Sequence, residues 1–205
     1  MLLEELPPDC HAALLSILYI IGESAKMKKT TLFIAYAAVI AAMYATLTIL
    51  QNVLLPGSAS AAVQFRVSEV LTILALYTPA AIPGLAVGCA VANLSSVSVA
   101  GPLDLIIGSA ASLIAAVLMY ATRNVRLFKL PVLAALMPAL VNGVLVGFEI
   151  DFFIVNQGSF NFFDFLFQGG CVALGELAVL FLLGLPLTRL IELKGLDKKL
   201  FREVP

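Results

Sequence analysis

The sequence has few side chains that could bind a metal ion or form a covalent framework. It contains one histidine, three cysteines and no tryptophan. Cys10, Cys89 and Cys171 are far apart and form no CxxC pair, so neither a zinc site nor a disulfide framework is expected. A histidine-based catalytic triad would have only His11 to use. We therefore expect no metal, no cofactor and no enzymatic activity.

Charged residues are also scarce, and long apolar runs stand in their place. Only 12% of the 205 residues are charged, whereas 61% are hydrophobic and the mean hydropathy is +1.06. Soluble domains contain about 25% charged residues, so this composition predicts a membrane protein. The net charge of -1 argues against nucleic acid as a partner. No GxxxxGK[ST] loop is present, so an ATP site of that kind is not expected.

The apolar runs divide into six predicted membrane spans, because about 20 residues of helix cross a bilayer. The predicted spans are residues 31–50, 61–77, 81–97, 103–121, 130–148 and 164–187. Thr78, Pro79 and Ala80 are expected to form a turn, because proline disfavours helix at the residue before it. Pro83 and Gly84 are expected to break the start of the third span. The predicted architecture is an all-α membrane protein, a six-transmembrane-helix bundle.

Lysine and arginine residues flank the predicted spans in three groups. The groups precede the first span, join the fourth to the fifth and follow the sixth: Lys28, Lys29, Arg123, Arg126, Lys129, Arg189, Lys194, Lys198, Lys199 and Arg202. With an even number of spans, all three groups lie on one side, which the positive-inside rule assigns to the cytoplasm. Both termini are then cytoplasmic (N-in/C-in), in a multi-pass protein of the cell (plasma) membrane.

Residues 1–26 differ from the rest of the chain and are predicted to be a disordered N-terminal extension. They are acidic near the start, and their apolar stretch, residues 12–21, is too short to span a bilayer. Met27 is followed by two lysines and a long apolar run, so we expect translation to begin there. Residues 27–200 then form the membrane domain, and residues 201–205 form a cytoplasmic tail.

Glu176 is the most unusual residue of the sixth span. It lies in residues 165–187, which are otherwise uncharged, and an acid at the centre of a membrane helix costs roughly 3 kcal/mol. Other polar residues are predicted toward the outer side of the membrane: Arg66, Glu69, Asn93, Asp104, Asn142, Glu149, Asp164 and Gln168. Because such groups usually face a pocket, a partner charge or water, we expect a capture site for an external solute.

Arg66 and Glu69 are one helical turn apart and are predicted to pair with each other. This pairing leaves Glu176 and Asp104 in excess, so we expect a ligand with N–H donors or a positive charge. The same pair could also be purely structural.

Other members of the predicted cluster have structural interpretations too. Asp104 fits a helix N-cap, and Glu149 and Asp164 fit solvated acids at loop ends. Asn93 and Asn142 fit interhelical hydrogen-bond partners. The sequence leaves these alternatives open.

Phenylalanines cluster where the sixth span begins, and one more stands beside Arg66. They are Phe65, Phe160, Phe162, Phe163, Phe165 and Phe167. The cluster is typical of an aromatic belt at the membrane interface. It is also compatible with a wall on which a planar ligand stacks.

Small residues recur along one face of the first span. Ala37, Ala41 and Ala45 repeat every four residues, and Ala38 and Ala42 run beside them. Rows of this kind let another helix approach closely. The neighbouring helix could belong to the bundle itself or to a partner subunit.

Several segments resemble the queuosine-precursor transporter (QueT) family. They are 64–69 (QFRVSE), 78–84 (TPAAIPG), 88–93 and Gly175-Glu176. The resemblance covers residues 27 to about 196. It implies a six-helix S component, the substrate-binding subunit of an energy-coupling factor (ECF) transporter. Such a subunit would bind its solute from outside and pass it inward when docked on a transmembrane coupling subunit with two ATPase subunits.

The resemblance also implies a docking face and a cargo. The row formed by Ala37, Ala41 and Ala45 resembles the alanine motif through which S components meet the coupling subunit. The implied cargo is a queuosine precursor, namely 7-aminomethyl- or 7-cyano-7-deazaguanine, or queuine itself. The residues expected to bind it are Phe65, Arg66, Glu69, Asn93, Asp104, Asn142, Asp164, Gln168 and Glu176.

The guanine-like edge of this cargo presents N1–H and an amino group, which one carboxylate can accept together. Glu176 or Glu69 is expected to take this role, and Asp104 or Asp164 to hold a cationic aminomethyl group.

Amide side chains suit the rest of the ring, because each can both donate and accept. Asn93 and Gln168 are expected at O6 and the ring nitrogens. Phe65 and the later phenylalanines are expected to stack on the ring.

Three other interpretations stay open. The chain could be an S component for another vitamin or nucleobase. It could be a self-sufficient ion-coupled carrier or channel in which Glu176 and Asp104 relay protons, although no internal repeat typical of secondary transporters is visible. It could also be an intramembrane hydrolase with two carboxylates, although no paired-acid motif stands out.

Overall fold

The computed structural model describes residues 8–56, 65–100 and 102–201, and this part of the chain is helical without β-strands. The α-helices are α1 (Pro8–Leu54), α2 (Ala81–Ala100), α3 (Pro102–Thr122), α4 (Val132–Glu149), α5 (Phe162–Val179), α6 (Leu185–Leu193) and α7 (Leu196–Leu200). A 3-10 helix, Val67–Leu76, precedes α2. Two π-helical turns, Ile150–Val155 and Leu180–Gly184, extend α4 and α5.

Four helical segments are long and apolar enough to cross a membrane: Lys29–Leu54, Pro102–Thr122, Val132–Val155 and Phe162–Leu193. Two shorter apolar helices, Val67–Leu76 and Ala81–Ser95, lie between the first and second of these. Helices therefore occupy all six predicted segments, and the all-helical membrane architecture is confirmed. By length and composition, four of the six segments qualify as membrane crossings, so six crossings stay a prediction.

The second predicted span is the one that differs most from the expectation. Residues 61–64 of that span lie outside the described residues, and Val67–Leu76 is a 3-10 helix of 10 residues. A 3-10 helix rises about 2.0 Å per residue, so these residues cover about 20 Å. The same residues as α-helix would cover only about 15 Å. The stretched geometry lets a short segment reach deep into the bundle.

The predicted turn at Thr78, Pro79 and Ala80 is confirmed. Ala81 N donates to Thr78 O over 3.2 Å, and Ile82 N donates to Pro79 O over 3.1 Å. The predicted break at Pro83 and Gly84 is wrong, because α2 runs through both residues. Pro83 is the third residue of α2, where the missing amide costs no hydrogen bond within the helix.

α1 and α2 cross at very short range through the alanine row of the first span. A Cβ atom on Gly84 would lie 2.8 Å from Ala37 O, and one on Gly88 would lie 2.8 Å from Ala41 O. Ala41 and Ala45 are buried. Within this chain the row therefore packs against α2, as the bundle-packing alternative requires.

The exposed small residues of α1 belong to the neighbouring row. Ala38 and Ala42 lie on the helix surface together with Val39 and Met43. A partner subunit that approached α1 would meet this row first.

α4 and α5 approach each other as closely as α1 and α2. A Cβ atom on Gly147 would lie 2.5 Å from the Cα atom of Gly169, so neither position has room for a larger side chain. This crossing brings Asn142 of α4 against Glu176 of α5.

The C-terminal segment packs against α1 and the end of the 3-10 helix. Tyr36 donates to Leu200 O over 2.5 Å, and the Phe201 ring stacks on Tyr77 with centroids 5.9 Å apart. α1 begins at Pro8, so residues 8–26 are helical where the sequence predicted disorder. Residues 1–7 lie outside the described residues, and the start at Met27 stays a prediction.

Candidate functional site

Glu176 lies in the interior between α4 and α5. It is buried, and its Oε1 accepts a hydrogen bond of 2.6 Å from Nδ2 of Asn142, which is buried too. Its Oε2 is buried and has no hydrogen-bond partner among the described residues. The contact between α4 and α5 thus fixes one carboxylate oxygen of Glu176 and leaves the second able to accept a hydrogen bond.

Glu69 repeats this arrangement on the 3-10 helix. Its Oε1 accepts a hydrogen bond from the hydroxyl of Tyr44 on α1, and both side chains are fully enclosed. Its Oε2 is also buried and has no partner within the described part of the chain. Glu69 and Glu176 are close enough to interact electrostatically. Two carboxylates from distant parts of the sequence therefore face one interior region.

Arg66 is paired with Asp104 rather than with Glu69. Its Nη2 lies 4.0 Å from Oδ1 of Asp104, and Glu69 is held by Tyr44 instead. The predicted Arg66–Glu69 pairing is therefore wrong. The pairing requires that both residues share a helix, but Arg66 precedes the 3-10 helix in extended conformation. The Nε of Arg66 is buried and has no partner among the described residues.

Asp104 and Asn93 fix the junction of α2 and α3. Asp104 is the third residue of α3 and therefore not its N-cap. Asn93 Nδ2 donates to the backbone carbonyl of Asp104 over 2.9 Å, which is the interhelical role considered above. Gly108 makes room for this contact, because a Cβ atom there would lie 2.6 Å from Asn93 Nδ2.

Glu149 belongs to the interior and is not a solvated loop-end acid. It is the last residue of α4 and only 2% exposed. Asp104 and Arg66 are its charged neighbours. The sequence feature that indicates this interior position is the separation of seven residues between Glu149 and Asn142, which puts both on one face of α4.

Asp164 does not join the buried carboxylates. It lies in the first turn of α5, where its Oδ2 accepts a 3.2 Å hydrogen bond from Asn156. Twelve residues of helix separate it from Glu176, which is about 18 Å. Gln168 is half-buried between them on the same face as Glu176.

The phenylalanines at the start of α5 face outward. Phe162, Phe163 and Phe167 are 58%, 79% and 63% exposed. These three rings match the interfacial belt and are not positioned to stack on a ligand near Glu176. Phe65 is about half exposed and directly precedes Arg66 in the sequence.

A polar stripe on α1 was missed from the sequence. Tyr44, Thr48 and Gln51 are buried and follow one helix face with separations of four and three residues. Thr48 Oγ1 donates to Ser68 Oγ over 2.7 Å. Their helical spacing is the signal that could have revealed them.

Gln51 holds the segment that carries Arg66. Its Nε2 donates to the backbone carbonyl of Phe65, and its Oε1 accepts from the Val67 amide over 2.8 Å. One side chain on α1 thereby fixes the backbone on both sides of Arg66.

The site as a whole has more acceptors than donors. Within the described residues, Asp104 lies 4.0 Å from Arg66, and the carboxyl groups of Glu69, Glu149 and Glu176 are close enough to interact electrostatically with its guanidinium. No group of three or more His, Cys, Asp or Glu side chains in the described segments could hold a metal ion. This arrangement suits an organic ligand with several N–H donors and one acceptor.

A protein-family model described as QueT transporter matches residues 34–193. That range contains every buried polar residue described above. No curated protein and no solved structure matches the chain.

Proposed function

Since the chain belongs to the QueT transporter family over residues 34–193, we propose that it is the S component of an ECF-type ABC importer. In this role it captures a queuosine precursor outside the plasma membrane for ATP-driven uptake. The cargo is 7-aminomethyl- or 7-cyano-7-deazaguanine, or queuine. The chain itself is not an enzyme in this proposal.

The observation that carries the proposal is a set of three buried polar atoms without partners among the described residues. They are Oε2 of Glu69, Oε2 of Glu176 and Nε of Arg66. An unpaired buried polar group costs about 1–3 kcal/mol, and more if it is charged. A ligand that bonds to all three would remove those costs, which is a physical basis for tight binding.

The edge of a deazaguanine complements these atoms. N1–H and the amino group are neighbouring donors that suit the two carboxylate oxygens. O6 lies next to N1 and suits the Nε–H of Arg66. Adenine presents an acceptor at N1 and would face the carboxylates with the wrong polarity.

The other predicted residues take supporting parts in this proposal. Asn142 positions Glu176 through its hydrogen bond. Asn93 positions α3 through its hydrogen bond to the backbone of Asp104. Phe65 and Gln168 lie toward the end of the bundle where Arg66 is located, and they are proposed to contact the ligand as it enters.

Six crossings with both termini in the cytoplasm are part of the proposal. The short helices Val67–Leu76 and Ala81–Ser95 count as the second and third spans. The energy is supplied by a transmembrane coupling subunit and two ATPase subunits, because the chain has no phosphate-binding loop of its own. The coupling subunit docks along α1, where Ala38 and Ala42 are exposed beside the row Ala37, Ala41 and Ala45.

The binding step is tested with the full chain purified in detergent. Isothermal titration with 7-aminomethyl- and 7-cyano-7-deazaguanine is expected to give saturable binding of at least one, whereas adenine is not bound. Native mass spectrometry before titration would reveal a ligand that co-purifies. Binding of an unrelated vitamin without binding of any deazaguanine would overturn the cargo and leave the S-component role in place.

A second candidate is a self-sufficient ion-coupled carrier, favoured by the buried carboxyl groups of Glu69, Asp104, Glu149 and Glu176. Uptake into liposomes separates the two functions. The chain alone is expected to bind but not to transport, and uptake is expected only with the coupling subunit, both ATPases and ATP. Uptake by the chain alone under a proton gradient would establish the carrier instead.

A further inference from the structure

Glu149 is a fourth buried group without a role in the binding step described above. Only 2% of the residue is exposed, and its Oε2 has no hydrogen-bond partner among the described residues. Its charged neighbours are Asp104 on α3 and Arg66 before the 3-10 helix.

The nearby Asp151 shows that this unpaired oxygen is not a general feature of the region. Asp151 is also fully buried, but it accepts hydrogen bonds from Asn156 Nδ2 over 2.6 Å and from Asn161 N over 3.2 Å. The π-helical turn Ile150–Val155 therefore satisfies one acid with the following loop. The Oε2 of Glu149, two residues earlier, receives no such hydrogen bond from the described residues.

The position of Glu149 relative to Glu176 is set by α4. Asn142, which bonds Glu176, is seven residues before Glu149 on the same helix face. Seven residues correspond to about 10 Å along the helix. Glu149 therefore lies about 10 Å farther along α4 than the Asn142–Glu176 contact, at the end of α4 and near Asp104 at the start of α3.

The charge there has the sign that would attract a cation. Asp104 is offset by Arg66 at 4.0 Å, whereas Glu149 forms no salt bridge within the described residues and interacts with Arg66 only at longer range. In a deazaguanine bound as proposed, carbon 7 lies beside O6, and thus beside Arg66, on the side away from the amino group. A substituent on carbon 7 would reach toward the region of Asp104 and Glu149.

We propose that Glu149 binds the cationic aminomethyl group on carbon 7 and thereby makes the protein prefer the aminomethyl precursor to the neutral cyano one. This inference rests on the proposed function, because it assumes a deazaguanine in the interior site. It moves the cation-binding role away from the two expected residues. Asp104 is offset by Arg66, and Asp164 is about 18 Å from Glu176 along α5.

The test compares two ligands that differ only at carbon 7. The affinities of 7-aminomethyl- and 7-cyano-7-deazaguanine are measured by titration of the full chain in detergent, for the natural protein and for Glu149→Gln. The variant keeps the size of the side chain and removes its charge. Affinity for the aminomethyl compound is expected to fall about 10- to 100-fold, as for the loss of a hydrogen bond to a charged group. Affinity for the cyano compound is expected to change less than about threefold.

Two further variants make the result specific. Asp164→Asn removes a carboxylate at the start of α5 and is expected to leave both affinities unchanged. Glu149→Asp keeps the charge and is expected to retain part of the preference. Retained binding of the cyano compound by Glu149→Gln also shows that the variant is folded.

The outcomes separate this inference from the proposed function. Equal losses for both ligands, or no loss for either, would overturn the role of Glu149 while the deazaguanine function stands. Loss of aminomethyl binding in Asp164→Asn instead would return the role to Asp164. Failure of the natural protein to bind either compound would overturn the proposed function and this inference with it.

Discussion

Buried carboxylates that are held by one oxygen define the site at the residue scale. Asn142 holds Glu176, and Tyr44 holds Glu69, each through Oε1. Both leave Oε2 buried without a partner among the described residues. A hydrogen bond at one oxygen fixes the carboxylate, so the second oxygen is preorganised for a donor and little side-chain freedom is lost on binding.

Substitution of Glu176 by glutamine is expected to weaken ligand binding. The amide oxygen would stay with Asn142, and an NH2 group would then take the place of the free acceptor. We expect affinity for a deazaguanine to fall about 10- to 100-fold, equivalent to about 1.5–3 kcal/mol for a bond to a charged group. Titration of purified Glu176→Gln measures this loss. Unchanged affinity would show that Glu176 does not contact the purine edge.

Removal of the Tyr44 hydroxyl is expected to destabilise the fold. In Tyr44→Phe both oxygens of Glu69 would lack a partner in the described region, at a cost of about 1–3 kcal/mol. Thermal unfolding in detergent measures the change. The control is Tyr36→Phe, because the Tyr36 hydroxyl bonds Leu200 O at an exposed position. A larger effect at Tyr36 than at Tyr44 would contradict this account.

At the element scale, the close crossings of helices place the site residues. Gly84 and Gly88 bring α2 against α1, which carries Tyr44. Gly147 and Gly169 bring α4 against α5, which carries Glu176. The unusually long 3-10 helix then presents Glu69 between them, and Gln51 anchors its start. The polar contacts depend on helix pairs that apolar packing holds at short range.

Enlargement of Gly88 is expected to disturb this packing. A Cβ atom there would lie 2.8 Å from both Ala41 O and Tyr44 Cβ, and overpacking typically costs about 1–3 kcal/mol. We expect Gly88→Ala to lower the unfolding temperature in detergent and to weaken ligand binding through Tyr44.

Gly170 on α5 is the matched control for this substitution. A Cβ atom at Gly170 meets nothing within 4 Å, so Gly170→Ala is expected to be neutral or to stabilise α5 by up to about 1 kcal/mol. Similar destabilisation by both variants would mean that lost helix flexibility, and not the α1–α2 contact, sets the cost.

At the scale of the whole molecule, the two ends of the bundle differ in charge. The end that carries α6 and α7 has the basic groups, and there Arg126 pairs with Glu192 over 2.6 Å. The opposite end has the buried acids and Arg66. The positive-inside rule predicts that the basic end is cytoplasmic and that the candidate site opens outward.

Labelling of single cysteines tests this orientation. Cys10, Cys89 and Cys171 are first replaced by alanine, and Ser159→Cys or Lys198→Cys is then introduced at an exposed position. A membrane-impermeant maleimide is expected to label Ser159→Cys in intact cells, and Lys198→Cys only after lysis. The reverse pattern would place the site on the cytoplasmic face and exclude capture from outside.

The sequence alone determined the membrane character, the helix positions and the family. These follow from apolar run length and local motifs, which act over tens of residues at most. Glu176 was recognisable for the same reason, because one acid in an apolar run is visible without any partner. The polar stripe formed by Tyr44, Thr48 and Gln51 could also have been predicted from its helical spacing.

Only the tertiary structure decided which polar groups meet. Glu69 is held by Tyr44, 25 residues away, and Glu176 by Asn142, 34 residues away. Arg66 pairs with Asp104 and not with Glu69, its neighbour in sequence. The i, i+3 spacing of an α-helix does not apply to Arg66, because this residue is extended and precedes a 3-10 helix. The pairings depend on how distant helices cross. The alanine row indicated that a helix approaches α1 closely, but only the packed structure shows that this helix is α2.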